Sequence, residues 1–478
     1  MRVIDLASFV VVLGLLAGSA KAQTSAVPNV PGDRAAQVGP DVDQGYLPSS
    51  TTLSFSAVNA SPTADGNSAA KPAAAQGDQA APPEPPSATG ASAAGASAAG
   101  ASAADAPADK PWTIPQLKAL ERMGILTTGW LEQGVTFNAL SPHDGWNGPV
   151  ATNDLSNNYE LNQFWLTFVR PVKTDGCGFD VGGRIDACYG TDWRYGDSLG
   201  LESKIDAANG LYGLVIPQFY AEVGYDDLTV KIGHYAASMG YEQVPAPANF
   251  FYSHSYELAY AEIILATGVQ ADYKLSENWS INGGINTGWG MFEDNNDKMS
   301  FLGGLKWHNT SDKTSVSFEI TAGPSDPAGE NHLYDYALVL KQQLSEKLLY
   351  VAQHNFGGAE TATGGYGIWY GLDQYLIYTI NPKLSAGARV EWFRDEEGTR
   401  VAGVGNLNDG WSGLPGFAGT FSEVTTGLNW RPCRNLVVRP ELRWDWYGGT
   451  TNVAGQLPFG DGLHASQFLF ATDAVFTF

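Results

Sequence analysis

The chain has 478 residues, of which 56 are glycine and 56 are aromatic, while only 16% are charged. Fifty acidic and 27 basic side chains give a net charge of −23, which argues against a nucleic-acid partner. After the first 22 residues, no window approaches the roughly 18 consecutive apolar residues of a transmembrane helix, which argues against a helical membrane protein.

Residues 1–22 have the pattern of a cleavable export signal. Arg2 precedes an apolar run over residues 6–17, and Ala20-Lys21-Ala22 supplies small residues before a predicted cleavage site at Gln23. The apolar run is shorter than a transmembrane anchor requires, so the pattern favours export followed by cleavage.

Residues 23–110 are rich in Ala, Pro, Ser and Gly, and residues 90–104 contain three consecutive Gly-Ala-Ser-Ala-Ala repeats. Such a segment cannot bury enough apolar surface to offset its chain entropy, so we predict a disordered linker. Its composition fits both an inert spacer and a tether to a periplasmic partner.

Residues 111–124 predict a short amphipathic helix. Ile114, Leu117, Leu120 and Met123 recur at three-residue intervals, and a glycine follows as a stop signal. Two positions fit this helix, one under the domain that follows and one against the inner wall of that domain.

From residue 125 to 478, strand-like runs alternate with short and long connections. The seven tight turns fall near residues 171–176, 226–227, 276–278, 309–313, 345–347, 381–383 and 431–435. Eight longer loops alternate with these turns, as expected when turns occupy one rim of a membrane barrel and loops the other. The segment therefore predicts an all-β, antiparallel up-and-down transmembrane β-barrel of about 16 strands.

The C-terminal segment and the tryptophans support a lipid-facing wall. Phe468, Phe470, Phe476 and Phe478 lie on one side of a period-2 pattern that ends the chain. Aromatic residues near predicted strand ends would form two interfacial belts. The predicted members are Trp279, Trp289, Trp307, Tyr350, Tyr378, Trp392, Trp430 and Trp446.

The segment 436–446 shows the two-faced pattern most clearly. One parity is occupied by Leu436, Val438, Pro440, Leu442, Trp444 and Trp446, and the other is shared by Arg439, Glu441, Arg443 and Asp445. The same parity on other strands predicts further inward charges. These are Arg184, Asp186, Glu222, Lys231, Glu319, Arg389, Glu391 and Glu423. Two roles fit the set: lining a charged, water-filled pore, and pairing across neighbouring strands.

The third long connection, residues 237–262, differs from a solvated loop tip. Its aromatic and ionisable members include Tyr241, Glu242, Phe250, Phe251, Tyr252 and His254. Because the segment is too apolar to float in water, we predict that it folds inward and narrows the bore. The alternative is docking against a neighbouring barrel in a homotrimer, since exposed apolar patches usually mark contacts.

No motif predicts catalysis or metal binding. Ser253, His254 and Ser255 place a nucleophile beside a base, but no G-x-S-x-G signature accompanies them. The seven histidines and three cysteines lack the spacing of metal ligands. We therefore predict no enzyme activity, no cofactor and no metal.

Several blocks of the barrel segment resemble a known family. They are GWLEQG at 129–134, WNGP at 146–149, YELNQ at 159–163, GRID at 183–186, YGTD at 189–192 and NFFYSHSY at 249–256. Together they resemble the OmpL-like beta-barrel porin family, and the resemblance covers residues 112–478. It implies an outer-membrane barrel with a pore, and it supplies neither a solute nor catalytic residues.

The sequence thus predicts a porin in the lipid of the cell outer membrane that passes small hydrophilic solutes and ions by passive diffusion. The rival prediction is a structural or adhesive surface protein whose barrel is plugged. A third, a soluble extracellular β-domain, would not need the lipid-compatible face.

Overall fold

The computed structural model describes residues 111–174, 176–202, 210–293, 297–324, 326, 328–361, 364–401 and 416–478. The predicted export signal and the predicted linker over 23–110 lie outside the described residues.

The described residues form sixteen strands. They are β1 Leu126–Asn138, β2 Asn158–Arg170, β3 Phe179–Gly190, β4 Gly213–Tyr225, β5 Leu228–Ala236, β6 Leu265–Lys274, β7 Trp279–Asn286, β8 Ser300–His308, β9 Thr314–Pro324, β10 His332–Gln343, β11 Leu348–Glu360, β12 Tyr366–Asn381, β13 Leu384–Asp395, β14 Gly419–Cys433, β15 Leu436–Gly449 and β16 Ser466–Thr477. Each pairs with its chain neighbours, and β1 pairs antiparallel with β16, so the sheet closes into a barrel. The predicted architecture and strand number are confirmed.

Burial along the strands is inverted relative to a soluble protein. On β15, Leu442, Trp444 and Trp446 are exposed, whereas Arg443 and Asp445 between them are buried. Alternate residues of a strand point to opposite faces, so the barrel has an apolar outer face and a polar inner face. We call the end with the short connections the turn rim and the other end the loop rim.

Aromatic residues occupy both faces of the barrel wall. Phe164 is exposed on the outer face, whereas Trp165 is buried and stacks on Trp130 with 4.8 Å between ring centroids. The prediction that Trp289 belongs to an outer belt is wrong. It follows the end of β7, where strand parity no longer applies, and packs among inward aromatic residues beneath Arg400.

The segment before β1 binds the turn rim. A helix, α1, covers only Lys118–Arg122 of the predicted 111–124. Residues ahead of it satisfy their polar groups on the barrel instead. The backbone N–H and carbonyl of Trp112 exchange two hydrogen bonds with the Asn435 side chain, at 2.6 and 2.7 Å. The Gln116 side chain exchanges two hydrogen bonds with the backbone N–H and carbonyl of Thr127, both at 2.8 Å.

The remaining helices are short. A four-residue helix, α2, covers Trp193–Gly196 in the second long loop. Among the described residues, no helix combines the length and apolar character needed to cross a bilayer.

Candidate pore and its inner loop

The connection between β5 and β6, residues 237–264, is buried even though it is a loop. Phe251, Tyr252 and Tyr256 are each at most 2% exposed, and the segment contacts the inner face of the barrel. We call it the inner loop. It contains a 3₁₀ turn at Ala246–Ala248 and a π-helical turn at Glu257–Ala261.

The first bend of the inner loop is fixed locally. Pro245 precedes the 3₁₀ turn, and its carbonyl accepts a hydrogen bond from Asn249 Nδ2. Asn249 Nδ2 also donates to the Gln243 carbonyl, and its Oδ1 accepts from the Gln243 N–H at 2.9 Å. One amide side chain therefore closes the turn, which is the role asparagine commonly plays in loops.

Arg389 on β13 binds the middle of the inner loop. Its Nη1 donates to Glu242 Oε1 at 2.7 Å and to the Ser253 carbonyl at 2.8 Å, and its Nε donates to Glu423 at 2.5 Å. The guanidinium is fully buried. A buried cation is stabilised only when it is paired and hydrogen-bonded, and here both loop and wall supply the partners.

Arg439 on β15 makes a second attachment of the same kind. It pairs with Glu132 and Asp473 at 2.8 and 2.5 Å, and its Nη1 donates to the carbonyls of Ala246 and Asn249, both at 3.0 Å. The wall supplies the carboxylates and the inner loop supplies the carbonyls.

Two wall carboxylates bind successive backbone N–H groups of the inner loop. Glu441 accepts from Tyr252 and Ser253 at 2.9 and 3.1 Å. Glu391 accepts from the N–H groups of Tyr256 and Glu257 at 2.8 and 2.7 Å. A buried backbone N–H must find an acceptor, so these carboxylates satisfy a stretch of irregular backbone inside the barrel.

Arg443 and Asp445 complete the attachment. Arg443 donates to the His254 carbonyl at 2.6 Å and to Asp445 at 2.8 Å, and Asp445 accepts from the Tyr256 hydroxyl at 2.8 Å. Seven predicted inward charges are therefore at most 2% exposed beneath the inner loop or beside it. They are Arg389, Glu391, Glu423, Arg439, Glu441, Arg443 and Asp445.

Aromatic residues of the inner loop fit against glycines of the wall. A Cβ on Gly387 would lie 2.4 Å from the Phe250 ring, and one on Gly134 would lie 2.5 Å from the Tyr252 ring. A side chain at either glycine would force the facing ring to move. The Tyr252 hydroxyl also donates to Asn162 at 2.9 Å.

The surroundings of two inner-loop carboxyl groups shift their pKa values in opposite directions. Burial disfavours the charge on Glu242, but Arg389 and His254 outweigh it and hold the pKa of Glu242 below its usual range. Burial raises the pKa of Glu262 to about 8, despite hydrogen bonds from Asn355 and Gln353. The loop thus carries one carboxylate that stays ionised and one that holds a proton near neutral pH.

The two remaining inner-loop residues singled out by sequence also make contacts. The Tyr241 N–H donates to Gln353 Oε1 at 2.6 Å, and its ring lies 4.7 Å from that of Tyr375. His254 Nδ1 lies 3.0 Å from Glu242 Oε2, whereas Ser253 Oγ is 3.1 Å from Arg389. The adjacent serine and histidine are thus engaged by different partners.

The inner face of β3 to β10 near the turn rim keeps partly exposed charges, and we call it the open wall. Arg184 pairs with Asp186 at 2.9 Å, and Lys231 lies 3.9 Å from Asp272. The exposed fractions of the Arg184 and Asp272 side chains are 23% and 24%. Glu222 is buried and lies opposite Lys231 in the register.

A third ion pair marks the border between the open wall and the inner loop. Lys306 pairs with Glu319 at 2.9 Å, and the Glu319 carboxylate also accepts from the hydroxyl of Ser238 at the start of the inner loop. All five predicted charges Arg184, Asp186, Glu222, Lys231 and Glu319 lie on this wall, where Arg184 is partly exposed and the other four are buried.

Sequence reasoning missed several charges that the structure brings into the interior. Glu132 and Asp473 bind Arg439, while Asp272, Lys306 and Lys341 lie on the open wall. The parity signal was present for each of them. A bulge between residues 132 and 133 and closeness to strand ends make that parity hard to follow from sequence.

A cluster on the loop-rim side also escaped prediction. Arg400, in the loop after β13, donates to the Tyr260 carbonyl at 2.6 Å and lies over Trp369 and Trp289, at 4.4 and 5.0 Å from the ring centroids. Loop residues have no strand parity, so no sequence signal marks this contact. Among the described residues, no group of three or more His, Cys, Asp or Glu could hold a metal ion.

A closed barrel with an apolar outer face, a charged inner face and an inward-packed loop defines an outer-membrane protein of the porin class. The sequence model of the family "Putative beta-barrel porin-2, OmpL-like" matches residues 124–478. The chain belongs to this family and to the outer membrane, and the family resemblance seen in its sequence is confirmed. Short turns of such barrels face the periplasm, so the turn rim is the periplasmic end.

Three solved structures illustrate what the chain is similar to in fold. The channel DcaP of Acinetobacter baumannii is 11% identical with a TM-score of 0.43, covering 74% of this chain and 97% of that one. An anion-selective porin from Comamonas acidovorans is 9% identical with a TM-score of 0.47, covering 74% and 99%. OprB of Pseudomonas putida is 14% identical with a TM-score of 0.45, covering 76% and 96%. No curated protein is similar enough in sequence to count as a match.

Proposed function

We propose that this porin passes small hydrophilic solutes and ions by passive diffusion along the open wall, through a water-filled passage narrowed by the inner loop. The observation that carries the proposal is that the inner loop buries the charges on one side of the barrel and leaves some on the other side exposed. Those on β13 to β15 are buried under the loop, whereas Arg184, Asp272 and Lys306 keep 23% to 40% of their side chains exposed. Charges that remain hydrated can act on a passing solute.

In this proposal the inner loop sets the width of the passage. Four arginine or carboxylate attachments, at Arg389, Arg439, Glu391 and Glu441, hold its backbone at a fixed distance from the opposite wall. A rigid inner loop excludes solutes that are wider than the passage, and no covalent step is needed. The charges along the remaining wall then select by sign.

Deleting residues 245–253 tests the constriction. We expect a larger single-channel conductance in planar bilayers, because the removed segment includes Phe250, Phe251 and Tyr252 from the interior. Deleting residues 451–456, at the exposed tip of the last long loop, is the control and should leave the conductance unchanged. An equal or smaller conductance for the 245–253 deletion would contradict the constriction.

The second candidate function is a structural or adhesive surface protein with a plugged barrel, and the extent of the loop's attachment favours it. Swelling of liposomes in sugar solutions separates the two. A porin gives swelling rates that fall with sugar size, whereas a plugged barrel gives none.

We further propose a homotrimer as the assembly in the membrane. An apolar outer face can pack against copies of itself as well as against lipid. The mass of the detergent-solubilised protein, corrected for bound detergent, tests this directly. A mass equal to one chain under mild detergent would contradict it.

A further inference from the structure

Two lysines lie on the open wall, close to the periplasmic rim. Lys306 is two residues before the end of β8, and Lys341 is two residues before the end of β10. Lys306 has the inward parity of the buried Leu302, and Lys341 that of the buried Val339. Both therefore belong to the inner face.

Two serines lie on the strand between these lysines. Strand β9 runs between β8 and β10, with Ser317 opposite Lys306 and Ser315 opposite Lys341. Directly opposite residues point to the same face of a sheet. With strands about 4.8 Å apart and the two lysines offset by two residues along the strands, their Cα atoms flank the serines across roughly 12 Å. Two ammonium groups and two hydroxyls can therefore converge on one small anion.

The local charge balance facing the passage is positive. The Lys306 side chain is 40% exposed, whereas its partner Glu319 is 1% exposed and is also bonded to Ser238 and Asn282. The negative charge is thus held inside the wall while the positive charge faces water. Lys341 Nζ lies 4.9 Å from the ring centroid of Tyr241. Within the described residues, no carboxylate lies at ion-pair distance from it.

We infer that Lys306, Lys341, Ser315 and Ser317 form a binding step for small oxyanions, such as carboxylates or inorganic phosphate, at the periplasmic end of the passage. This inference rests on the proposed diffusion function and names its solute class. It predicts a preference for anions in a chain whose net charge is −23. Local exposed charge decides selectivity because charges beyond a Debye length of about 8 Å are screened.

The test is the reversal potential of single channels in a KCl gradient. Replacing both lysines, K306Q with K341Q, should lower the chloride-to-potassium permeability ratio about threefold or more, as expected on removing two unit charges within a Debye length of the path. The control pair K347Q with K383Q removes the same charge from exposed short turns elsewhere on this rim and should leave the ratio unchanged. Retained heat-modifiable gel mobility shows that each variant is folded.

A second measurement addresses the oxyanion. Inorganic phosphate added on the periplasmic side should reduce the chloride current of the unmodified protein in a saturable way, and the K306Q–K341Q variant should lose this block. An unchanged permeability ratio in the variant, an equal shift in the control pair, or block that survives the substitution would overturn the inference. A folded protein that conducts no ions would instead overturn the proposed diffusion function.

Discussion

At the residue scale, Arg389 links the inner loop to the barrel wall. It bridges Glu242 of the loop and Glu423 of β14 while fully buried. Removing one partner of such a group leaves the others charged and unpaired, which costs far more than the net contribution of the pair.

Replacing Arg389 with glutamine should therefore loosen the loop and destabilise the barrel. We expect a loss of about 3–5 kcal/mol, since two buried carboxylates lose their cation. The control is R394Q on the same strand, whose pair with Glu396 is about 30% exposed on each side and should contribute less than about 1 kcal/mol. Urea unfolding in detergent micelles measures both, and equal losses in the two variants would refute the argument.

Glu262 gives the attachment of the loop a pH dependence. Burial raises its pKa to about 8, and burial also raises the pKa of nearby Glu257. Between roughly pH 4.5 and pH 8 the docked loop therefore binds more protons than a released loop, so docking weakens as pH rises. Glu242, whose pKa is lowered, acts in the opposite sense and only in more acidic solution.

We expect single-channel conductance to rise between pH 5 and pH 9 as the loop detaches more often. The variant E262Q should show a smaller rise, because the amide cannot ionise. The exposed turn residue Glu277, changed to glutamine, should keep the full pH response. A conductance that falls with pH, or an E262Q response as large as that of the unmodified chain, would contradict the linkage.

Much of the inner face could be predicted residue by residue, but its partners could not. Arg439, Glu441, Arg443 and Asp445 are inward as their parity requires. Parity says nothing about what lies opposite a side chain. That Arg439 meets the carbonyls of Ala246 and Asn249 depends on the path of a loop almost 200 residues away in sequence.

At the scale of elements, alternation of strand residues is the dominant signal. The short and long connections inferred from sequence correspond to the turn rim and the loop rim, because polar turns are needed wherever a strand leaves the membrane. The observed helix covers only Lys118–Arg122 of the predicted 111–124. The residues ahead of it bond to Asn435 and Thr127 of the barrel, and tertiary contacts override local propensity.

The outer face should reject charge according to depth. Replacing Leu442, which is exposed in the middle of β15, with arginine is expected to destabilise the barrel by about 2–4 kcal/mol, because no water reaches that position in a bilayer. The matched variant L463R, in the last long loop, places the same side chain at an exposed site outside the strands and should be nearly neutral. Reversible unfolding in phospholipid vesicles compares them, and similar losses would argue that Leu442 does not face lipid.

At the scale of the whole molecule, closure removes both edges of the sheet. The register of β1 with β16 runs from Trp130 opposite Thr477 to Asn138 opposite Leu469 without interruption. Unpaired backbone groups are costly in lipid, and a closed ring leaves none along the strands. The porin class follows from this closure and from the family match over residues 124–478, whereas the homotrimer stays a prediction.

Removing residues 466–478 should abolish the folded barrel rather than weaken it. Without β16, both β1 and β15 would present open edges to acyl chains. We expect no species with heat-modifiable mobility and no protein resistant to protease in vesicles. A truncated chain that still shows both properties would mean that β1 and β15 can pair directly.

The pairing of Trp130 with Thr477 also constrains how the molecule is made. Nearly the whole polypeptide must be synthesised and exported before its two ends can meet, and contacts so distant in sequence form slowly. Until then, the unpaired backbone groups of β1 and β16 need temporary hydrogen-bond partners, which either water or an assembly factor can supply. Pairing of β1 with β16 is therefore a late step of assembly, and a chain that stalls before it still has two unpaired strand edges.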